Sequence, residues 1–576
     1  MDDRKTITDR KADALPVGVG RAAGTRSRRI LFGLGAVLVG LLPLVILEAG
    51  LRIFDLGRPA DNPDPFAGFN RNFPLFERQG AVYRTARSRA PYIAPQEFPA
   101  VKPRDGFRVF CFGGSTVYGH PYLGDTAFPK WLELELAGSD PARSWQVINC
   151  GGISYASYRI AAVMKEVLRY QPDLIILATG HNEFLEDRTY KDLKARPAVL
   201  AWLQGKACSL RLVGLVRHWL TRGDPPATRV DVGSESDTEL GPTVNARLDH
   251  ISGYASYRRD DAWHKRVVAQ YDESVRTIVA QCQAAKVPIL LVRLGSNLRD
   301  CPPFKSEHRA DLSPERELDW QAAFDIATAA EKTDLPRALH FYQEAAAIDD
   351  AYALVNYRIA RVLDRTGRKH EALHYYQKAR DEDICPLRIT SALEQSLARV
   401  AVETGSPLVD AASLLAARSS DHISGNDWYL DHVHPTIGGH QLIARALAAQ
   451  MRENGLLPRS AIWPDDKRVE TYSRHLAGLG PSYFADGKRR VGRLDLWAQR
   501  QRLAAEAIPN DAYGYARLGF LRFDLGDEDA AEEALREALE RDSSVSDLIQ
   551  KRARELVSEG RPDRAAALLR LLNGPH

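Results

Sequence analysis

Four short apolar segments, each followed by glycine or a polar motif, constrain the fold of this chain more than any other feature. In chain order they read FRVFCFGGS, WQVINCGG, PDLIILATGHNE and VPILLVRLGSN. Short apolar runs bounded by turn residues are typical of buried strands, and the segment before the fourth run has a helical pattern. Strands that alternate with helices predict an α/β domain whose parallel sheet is covered on both faces, with ligands at the carboxyl ends of the strands.

Length and charge limit the other possibilities. The chain has 576 residues, which is more than one hydrophobic core usually holds, so several structural units are expected. Its 78 basic and 75 acidic side chains give a net charge of +3, and neither sign collects into a stripe interleaved with aromatic residues. We therefore expect no nucleic-acid partner. The cysteines show no CxxC spacing, which argues against a structural zinc site.

The N-terminal region predicts a membrane anchor. Basic residues gather before residue 30, and the run ILFGLGAVLVGLLPLVIL that follows is uncharged and close to the ~20 residues a spanning helix needs. The positive-inside rule then puts the basic tail in the cytoplasm and the rest of the chain outside. A cleaved signal peptide is the alternative, but the long polar lead and the absence of a small-x-small cleavage site favour an uncleaved single-pass signal-anchor.

Two pairs of segments repeat at an interval of 34 residues, the period of tetratricopeptide repeats. ALHFYQEAA begins at Ala338 and ALHYYQKAR at Ala372, and a second pair begins at Ala531 and Ala565. A generic helical hairpin is the alternative interpretation. So few repeats cannot bury a long solenoid core, so we expect them to dock on the sheet domain or on a protein partner.

Ser115 follows the first predicted strand in the turn FGGSTVYG. A strand-to-helix turn is a recurring way to expose a serine nucleophile. Here the second glycine of a GxSxG elbow is replaced by Val117, and Gly-Gly-Ser also forms ordinary turns and helix caps. Asn182, after the third strand, carries an amide that could stabilise an oxyanion, although a buried loop asparagine explains it equally well by itself.

The segment YLDHVHPTIGGH places Asp431 three residues before His434. On one turn, that carboxylate can hold Nδ1–H of the ring and leave Nε2 free to take a proton from serine. His432 is expected to point elsewhere, as a bystander or a contact at the rim of the site, and His440 to pack within a helix. A zinc site on Asp431, His432 and His434 is the alternative, but it leaves Ser115 and Asn182 without a purpose.

The ordered motifs GGS, NCGGIS, GHNE and DHVHP resemble the four blocks of the SGNH, or GDSL-like, hydrolase superfamily. The resemblance implies a flavodoxin-like three-layer α/β/α domain. It implies Ser115 as nucleophile, Asn182 as oxyanion amide, and Asp431 with His434 as the remaining triad members. It also implies that no metal or organic cofactor is needed.

Two positions depart from that family. Gly114 stands where the family has an aspartate before the nucleophile, and Ser154 stands where it usually has the oxyanion glycine. Because that donor is a backbone N–H, Ser154 can serve if its backbone conformation is suitable. Gly151 and Gly152 remain alternatives.

The motifs GSNLRDCPPF and GHNEF resemble those of a bacterial subgroup of membrane-anchored SGNH proteins that carry tetratricopeptide repeats. We therefore expect an inner-membrane protein with a periplasmic esterase, deacetylase or O-acyltransferase domain that acts on acyl esters of envelope glycans or lipids. A catalytically inactive scaffold that binds an envelope partner through its repeats is the alternative. The predicted parts are a basic tail (1–29), a transmembrane signal-anchor (30–50), a juxtamembrane linker (51–104), the hydrolase domain (105–315 and 386–455), inserted repeats (316–385), a helical linker (456–500) and C-terminal repeats (501–576).

Overall fold

The structure is a computed structural model. In it the chain divides into two compact units. One unit joins residues 1–62 to 198–229, and the other joins residues 63–197 to 230–576. The residues that the structure describes are 39–40, 42–54, 74–87, 89–90, 92–189, 210–212, 257–505, 512–524, 528–558 and 562–572.

In the first unit, residues 42–53 are helical. The Glu48 carboxylate accepts hydrogen bonds from the backbone N–H groups of Arg211 and Leu212, at 3.1 and 3.0 Å. None of the helices in the described ranges combines the length and the apolar character needed to cross a membrane. Residues 30–38 and 41 of the predicted anchor lie outside the described residues.

The second unit contains eight named strands, which are β1 (Phe76–Gln79), β2 (Val82–Thr85), β3 (Glu97–Pro99), β4 (Gly106–Gly113), β5 (Ser144–Gly151), β6 (Leu174–Ala178), β7 (Ile289–Arg293) and β8 (Leu408–Asp410) in the described residues. Five of them form a sheet whose order is β5-β4-β6-β7-β8. All of its neighbouring strands are parallel. Renumbered from its first strand this order is 2-1-3-4-5, the flavodoxin-like order, so the predicted parallel α/β sheet is confirmed.

The register of the central strands brings the sequence motifs to one edge of the sheet. Gly113 at the end of β4 pairs with Gly151 at the end of β5 and with Ala178 at the end of β6. The chain turns immediately after each of these residues. Because parallel strands end at the same edge, the GGS, GGIS and GHNE motifs converge there.

Helices cover both faces of this sheet, which explains why the β6 sequence LIILA is apolar at every position and fully buried. The helices are α1 (Ser115–Tyr118), α2 (Phe128–Ser139), α3 (Ser157–Val167), α4 (Glu183–Thr189), α5 (Asp261–Ala284), α6 (Pro314–Ala330), α7 (Leu335–Ile348), α8 (Ala353–Arg365), α9 (Lys369–Asp381), α10 (Ser391–Thr404), α11 (Ala411–Ala416), α12 (Ile437–Glu453), α13 (Asp465–Ala505), α14 (Ala512–Asp524), α15 (Glu528–Arg541), α16 (Val545–Ser558) and α17 (Pro562–Leu572). One face of the sheet packs against α3, α5 and α10, and the other against α2, α11 and α12.

Part of the predicted juxtamembrane linker belongs to the sheet domain. Strands β1, β2 and β3 form a small antiparallel sheet, and Phe76, Ile93 and Phe98 are buried in the core on the α3 face. The predicted linker over 51–104 is wrong for this part, because burial of these side chains joins the strands to the domain.

Helices α6 to α9 form the inserted repeats and dock on the sheet domain. Their aromatic positions Tyr342 and Tyr376 are buried, and Ile423 from the segment after α11 belongs to the same core. The Arg299 guanidinium pairs with Asp364 at 2.9 Å and ties β7's loop to α8. The inserted repeats are therefore joined to the sheet domain by a common hydrophobic cluster and by an ion pair.

Helices α14 to α17 form a separate hydrophobic cluster whose buried members all lie between residues 512 and 568. Part of the predicted helical linker over 456–500 packs on the sheet domain, because Trp463 and Tyr472 are buried in the core on the α2 face. Helix α13 bends at Gly480, which has φ of 75°.

Candidate active site

The nucleophile candidate is placed by two glycines at the end of β4. A Cβ on Gly113 would lie 2.0 Å from the carbonyl oxygen of Ala178, and one on Gly114 would lie 2.4 Å from Nδ2 of Asn182. Side chains at either position would separate the strand end from its neighbours. Gly114, where the SGNH pattern has an aspartate, therefore lets the Asn182 amide approach the turn that carries Ser115.

Ser115, His434 and Asp431 form one continuous chain of hydrogen bonds. Oγ of Ser115 lies 2.7 Å from Nε2 of His434. Nδ1 of His434 lies 2.5 Å from Oδ2 of Asp431. In this arrangement Nδ1 carries the proton donated to the carboxylate, which leaves Nε2 able to accept the Ser115 proton.

The second carboxylate oxygen of Asp431 is also engaged. Oδ1 accepts the backbone N–H groups of Val433 and His434, both at 2.8 Å. Burial would raise the pKa of Asp431, but the charges of His434 and His432 and the hydrogen bonds from His434 outweigh it and hold the pKa well below its ordinary value. The group facing His434 is thus a carboxylate anion.

Asn297, four residues after β7, holds the loop that carries Asp431 and His434. Its Nδ2 donates to the carbonyl oxygen of Asp431 at 3.1 Å, and its backbone N–H donates to the carbonyl oxygen of His432 at 3.0 Å. Asn297 is only 1% exposed, so water does not compete for these bonds. Asn297, just beyond the carboxyl end of β7, thereby holds Asp431 and His434 in place.

Ser154 lines the pocket beside Ser115 and has a backbone conformation that glycine adopts more readily. Its φ is 59°, in the left-handed region, and its side chain is buried. Within the described part of the chain neither its hydroxyl nor its N–H has a hydrogen-bond partner. Both groups are donors that a substrate oxygen can use, so the oxyanion role of the Ser154 N–H stays a prediction.

The Asn182 amide supplies a second donor on that side. Its Nδ2 donates one hydrogen to the carbonyl oxygen of Tyr155 at 3.3 Å and has a second hydrogen to give. Ser115 begins α1, so its own N–H has no partner within that helix. Asn182, Ser154 and Ser115 all line the same pocket.

Gly151 and Gly152, the alternative oxyanion donors, are engaged elsewhere. The Gly151 N–H donates to Oδ1 of Asn149 at 2.9 Å, and the Gly152 N–H donates to the carbonyl oxygen of Gly113 at 3.0 Å. Of the three candidates left open by the sequence, Ser154 is therefore the one whose backbone N–H has no partner in the described residues.

Glu183 ties the two oxyanion segments together. Its carboxylate accepts the backbone N–H and the hydroxyl of Ser157, both at 2.9 Å. Ser157 lies three residues after Ser154, and Glu183 directly follows Asn182. This buried contact fixes the separation of Ser154 and Asn182. In the sequence, only the glutamate of the GHNE motif points to this contact.

The pocket beside Ser115 has a volume of about 570 Å³, including the part open to solvent. The sequence did not predict its walls, since Leu387 follows the inserted repeats, Leu494 lies on α13, and His120 lies just beyond α1. The lining side chains other than Ser115, Asn182, Ser154 and His434 are His120, Ile153, Leu185, Leu387, His432, Val433 and Leu494.

The remaining histidines of the fourth motif take the predicted places. His440 is buried on α12, and its Nδ1 accepts the backbone N–H of Phe128 at 3.2 Å, so it packs as expected. His432 lines the pocket, with Nδ1 3.7 Å from Oδ2 of Asp431. Asp431 is bonded to His434 instead, and in the described residues no three His, Cys, Asp or Glu side chains are grouped as metal ligands.

Two helical regions of this chain match a known protein family. A model of the tetratricopeptide repeat matches residues 353–379 and 512–544. The chain contains tetratricopeptide repeats. The prediction from the 34-residue interval is therefore confirmed for both the inserted and the C-terminal helices.

The solved structures that this chain resembles include esterases and lipases of the GDSL-like type. An acetylxylan esterase from Geobacillus stearothermophilus is 12% identical, and the match covers 61% of this chain and 96% of the esterase at a TM-score of 0.27. A GDSL-like lipase from Bacteroides thetaiotaomicron is 10% identical, with 62% and 93% covered at 0.27. Comparison with curated proteins gave no significant match. Similarity at this level assigns no activity, so function depends on the site itself.

Proposed function

We propose that this chain is an SGNH-type serine hydrolase that cleaves or transfers short acyl esters. The observation that carries the proposal is the unbroken chain from Ser115 through His434 to Asp431, with contacts of 2.7 and 2.5 Å. A serine bonded to an imidazole that is itself oriented by a carboxylate is the arrangement that activates a hydroxyl nucleophile. The assembled triad supports an active enzyme over an inactive scaffold.

In the first half-reaction Ser115 Oγ bonds to the ester carbonyl carbon while its proton passes to Nε2 of His434. The carbonyl oxygen becomes an oxyanion, which accepts hydrogen bonds from the Ser154 N–H and the Asn182 amide. Asp431 stabilises the imidazolium that forms. When the intermediate collapses, the bond to the alcohol oxygen breaks and His434 returns the proton to that oxygen, leaving an acyl group on Ser115.

The second half-reaction repeats these steps with a different oxygen nucleophile. Water attacks the acyl carbon, His434 takes its proton, and Ser115 leaves with that proton restored. If a sugar hydroxyl occupies the place of water, the same atoms carry out O-acyl transfer. Every step uses side chains of this chain, and the mechanism needs no cofactor.

The pocket supports a short acyl group on a polar alcohol. Its walls combine apolar side chains such as Ile153 and Leu185 with the imidazoles of His120 and His432. The enclosed part of the pocket is small, about 50 Å³, which suits a short acyl group better than a long chain. We therefore place envelope glycans before lipids as substrates.

The proposal includes a location outside the cytoplasmic membrane of a bacterium. It is supported by the uncharged run from Ile30 to Leu47 and by the basic residues before it. The repeats supply a surface for a protein partner in that compartment.

Labelling with a fluorophosphonate probe tests the proposed chemistry. The parent protein should become labelled on Ser115, and Ser115→Ala should remain unlabelled. Ser460→Ala, at an exposed serine far along the chain, is the matched control and should label like the parent. Labelling of Ser115→Ala at the parent rate, together with undiminished cleavage of short acyl esters, would disprove the mechanism.

A further inference from the structure

The second half of α13 lies against the segment that carries His120. A Cβ on Gly487 would lie 2.1 Å from Cδ1 of Tyr122, so the helix backbone packs directly on that ring. Nε of Arg490 donates to the carbonyl oxygen of Pro121. One helical turn further, Leu494 lines the active-site pocket. Arg490 and Leu494 therefore share the helix face turned toward the site.

This face adds positive charge beside the reacting groups. Burial lowers the pKa of His120 to about 3, and the charges of His434, Arg490 and Arg493 act in the same direction. His120 is consequently a neutral imidazole in the pocket wall, and the hydrogen bond from Arg490 to Pro121 places one guanidinium beside the segment that carries it.

Arg490 differs from its neighbour on the helix. The Arg489 guanidinium is exposed and pairs with the Asp486 carboxylate one turn earlier. Arg490 is half-buried and forms no ion pair with any residue in the described ranges. Its Nε is bonded, so the terminal nitrogens of its guanidinium remain available as donors.

The position of Arg490 corresponds to the alcohol half of the ester. The ring of His434, which returns the proton to the leaving alcohol, lies 5.2 Å from the ring of His120. Arg490 is bonded to the residue after His120. We therefore assign Arg490, next to the pocket wall at His120, to the side where His434 returns its proton to the leaving alcohol, and Ser154 and Asn182 to the acyl oxygen.

We propose that Arg490, with His120 as a neutral hydrogen-bonding wall, forms a subsite for an anionic group on the alcohol half of the substrate. A carboxylate or a phosphate fits this chemistry, because guanidinium groups bind both through paired hydrogen bonds. The small pocket favours an acidic glycan with short acyl esters over a lipid with long chains. This inference depends on the proposed function and specifies its substrate.

The test compares aryl acetates that differ in the charge on the alcohol half. Parent protein is assayed with 4-acetoxybenzoate, with its neutral methyl ester and with 4-acetoxyphenyl phosphate. The variants are Arg490→Gln, Arg490→Lys and, as the matched control, Arg489→Gln, which removes the same charge one position away. We expect the parent to prefer both anionic esters by about tenfold or more in kcat/KM, the effect of one charge-assisted hydrogen bond.

Arg490→Gln should abolish that preference, Arg490→Lys should restore part of it, and Arg489→Gln should keep it. Raising the salt concentration should reduce the preference in the parent. Acetylated uronate oligosaccharides should then be deacetylated faster than acetylated xylo-oligosaccharides. Faster cleavage of the phosphate ester than of the benzoate would identify phosphorylated glycans as the better source of the anion.

Three results would overturn the subsite: equal rates on charged and neutral esters in the parent, equal losses on both in Arg490→Gln, or faster hydrolysis of anionic phospholipid vesicles than of any acidic glycan. In each case, fluorophosphonate labelling of Ser115 would leave the esterase proposal intact. If Ser115 is not labelled and none of the esters is cleaved, the proposed function itself fails.

Discussion

The two sides of Ser115 differ in how completely their hydrogen bonds are formed. On the base side, Asp431 accepts three bonds, and His434 is bonded through both ring nitrogens. On the oxyanion side, the Ser154 hydroxyl and N–H have no partner in the described residues, and Asn182 has one hydrogen to give. The base side is complete without substrate, whereas the oxyanion side is completed by it.

This difference predicts opposite effects on stability. Breaking a satisfied buried network leaves unpaired polar groups, so changes on the base side should destabilise the fold. The left-handed Ser154 stores backbone strain near the reacting atoms, so its relief should stabilise the fold. Changes on the base side should therefore lower both activity and stability. Changes on the oxyanion side should lower activity without lowering stability.

Ser115→Ala should have the largest effect on activity. It removes the nucleophile, so kcat for short acyl esters should fall by about 10⁴-fold or more. The melting temperature should stay near that of the parent, because the lost hydroxyl is small and partly exposed. Ester assays with calorimetry on the same samples measure both. A fall below tenfold would mean that another group attacks the ester.

Asp431→Asn should reduce kcat by about 10³- to 10⁴-fold, because an amide cannot hold His434 in the tautomer that leaves Nε2 as acceptor. KM should change little, since the substrate does not contact this side chain. Asp427→Asn, on the same loop and outside the triad, is the control and should keep most of the activity. Parent-like kcat in Asp431→Asn would remove Asp431 from the mechanism.

The same substitution tests the electrostatic difference through pH. The folded-state pKa of Asp431 is held below its ordinary 3.8. Its contribution to the free energy of unfolding is therefore fully present above pH 3.8 and is lost as the pH falls through the folded-state value. Urea denaturation should show Asp431→Asn less stable than the parent at pH 7, with a gap that narrows below about pH 4. A gap independent of pH would contradict this assignment.

Asn182→Ala should reduce kcat by about 10²- to 10³-fold, the usual cost of losing one oxyanion donor. KM should be nearly unchanged, because the bond strengthens only as charge develops on the oxygen. Asn149→Ala is a useful contrast, since its amide donates to the Val117 carbonyl at 2.8 Å and should affect stability first. A change in KM alone for Asn182→Ala would assign it to binding.

Ser154→Gly should have the smallest effect on activity and the opposite sign on stability. Removing a side chain from a left-handed position should raise the free energy of unfolding by up to about 1 kcal/mol, after the extra freedom of glycine in the unfolded chain is subtracted. Because the backbone N–H remains, kcat should fall by no more than a few-fold. Ser154→Ala keeps the strain and is the control. A loss of stability in Ser154→Gly would show that the hydroxyl supports the fold.

The sequence predicted best what lies within a few residues of a strand end. Ser115 and Asn182 each follow an apolar run, and the spacing of Asp431 and His434 is local, so these motifs together with the family resemblance indicated all four as candidates. The three-residue strand β8 was missed because so short a segment has no periodic signal. Leu494 was missed for a different reason, since its place in the pocket depends on how α13 packs across the domain.

The separation of Ser115 and His434 has a consequence for the order of synthesis. Their hydrogen bond joins positions 319 residues apart, and the pocket wall adds Leu494 later still. A polypeptide emerging from the ribosome exposes its serine long before the base exists. In the proposed mechanism the growing chain therefore carries no activated nucleophile, and hydrolysis can begin only after the sheet, the inserted repeats and α13 have come together.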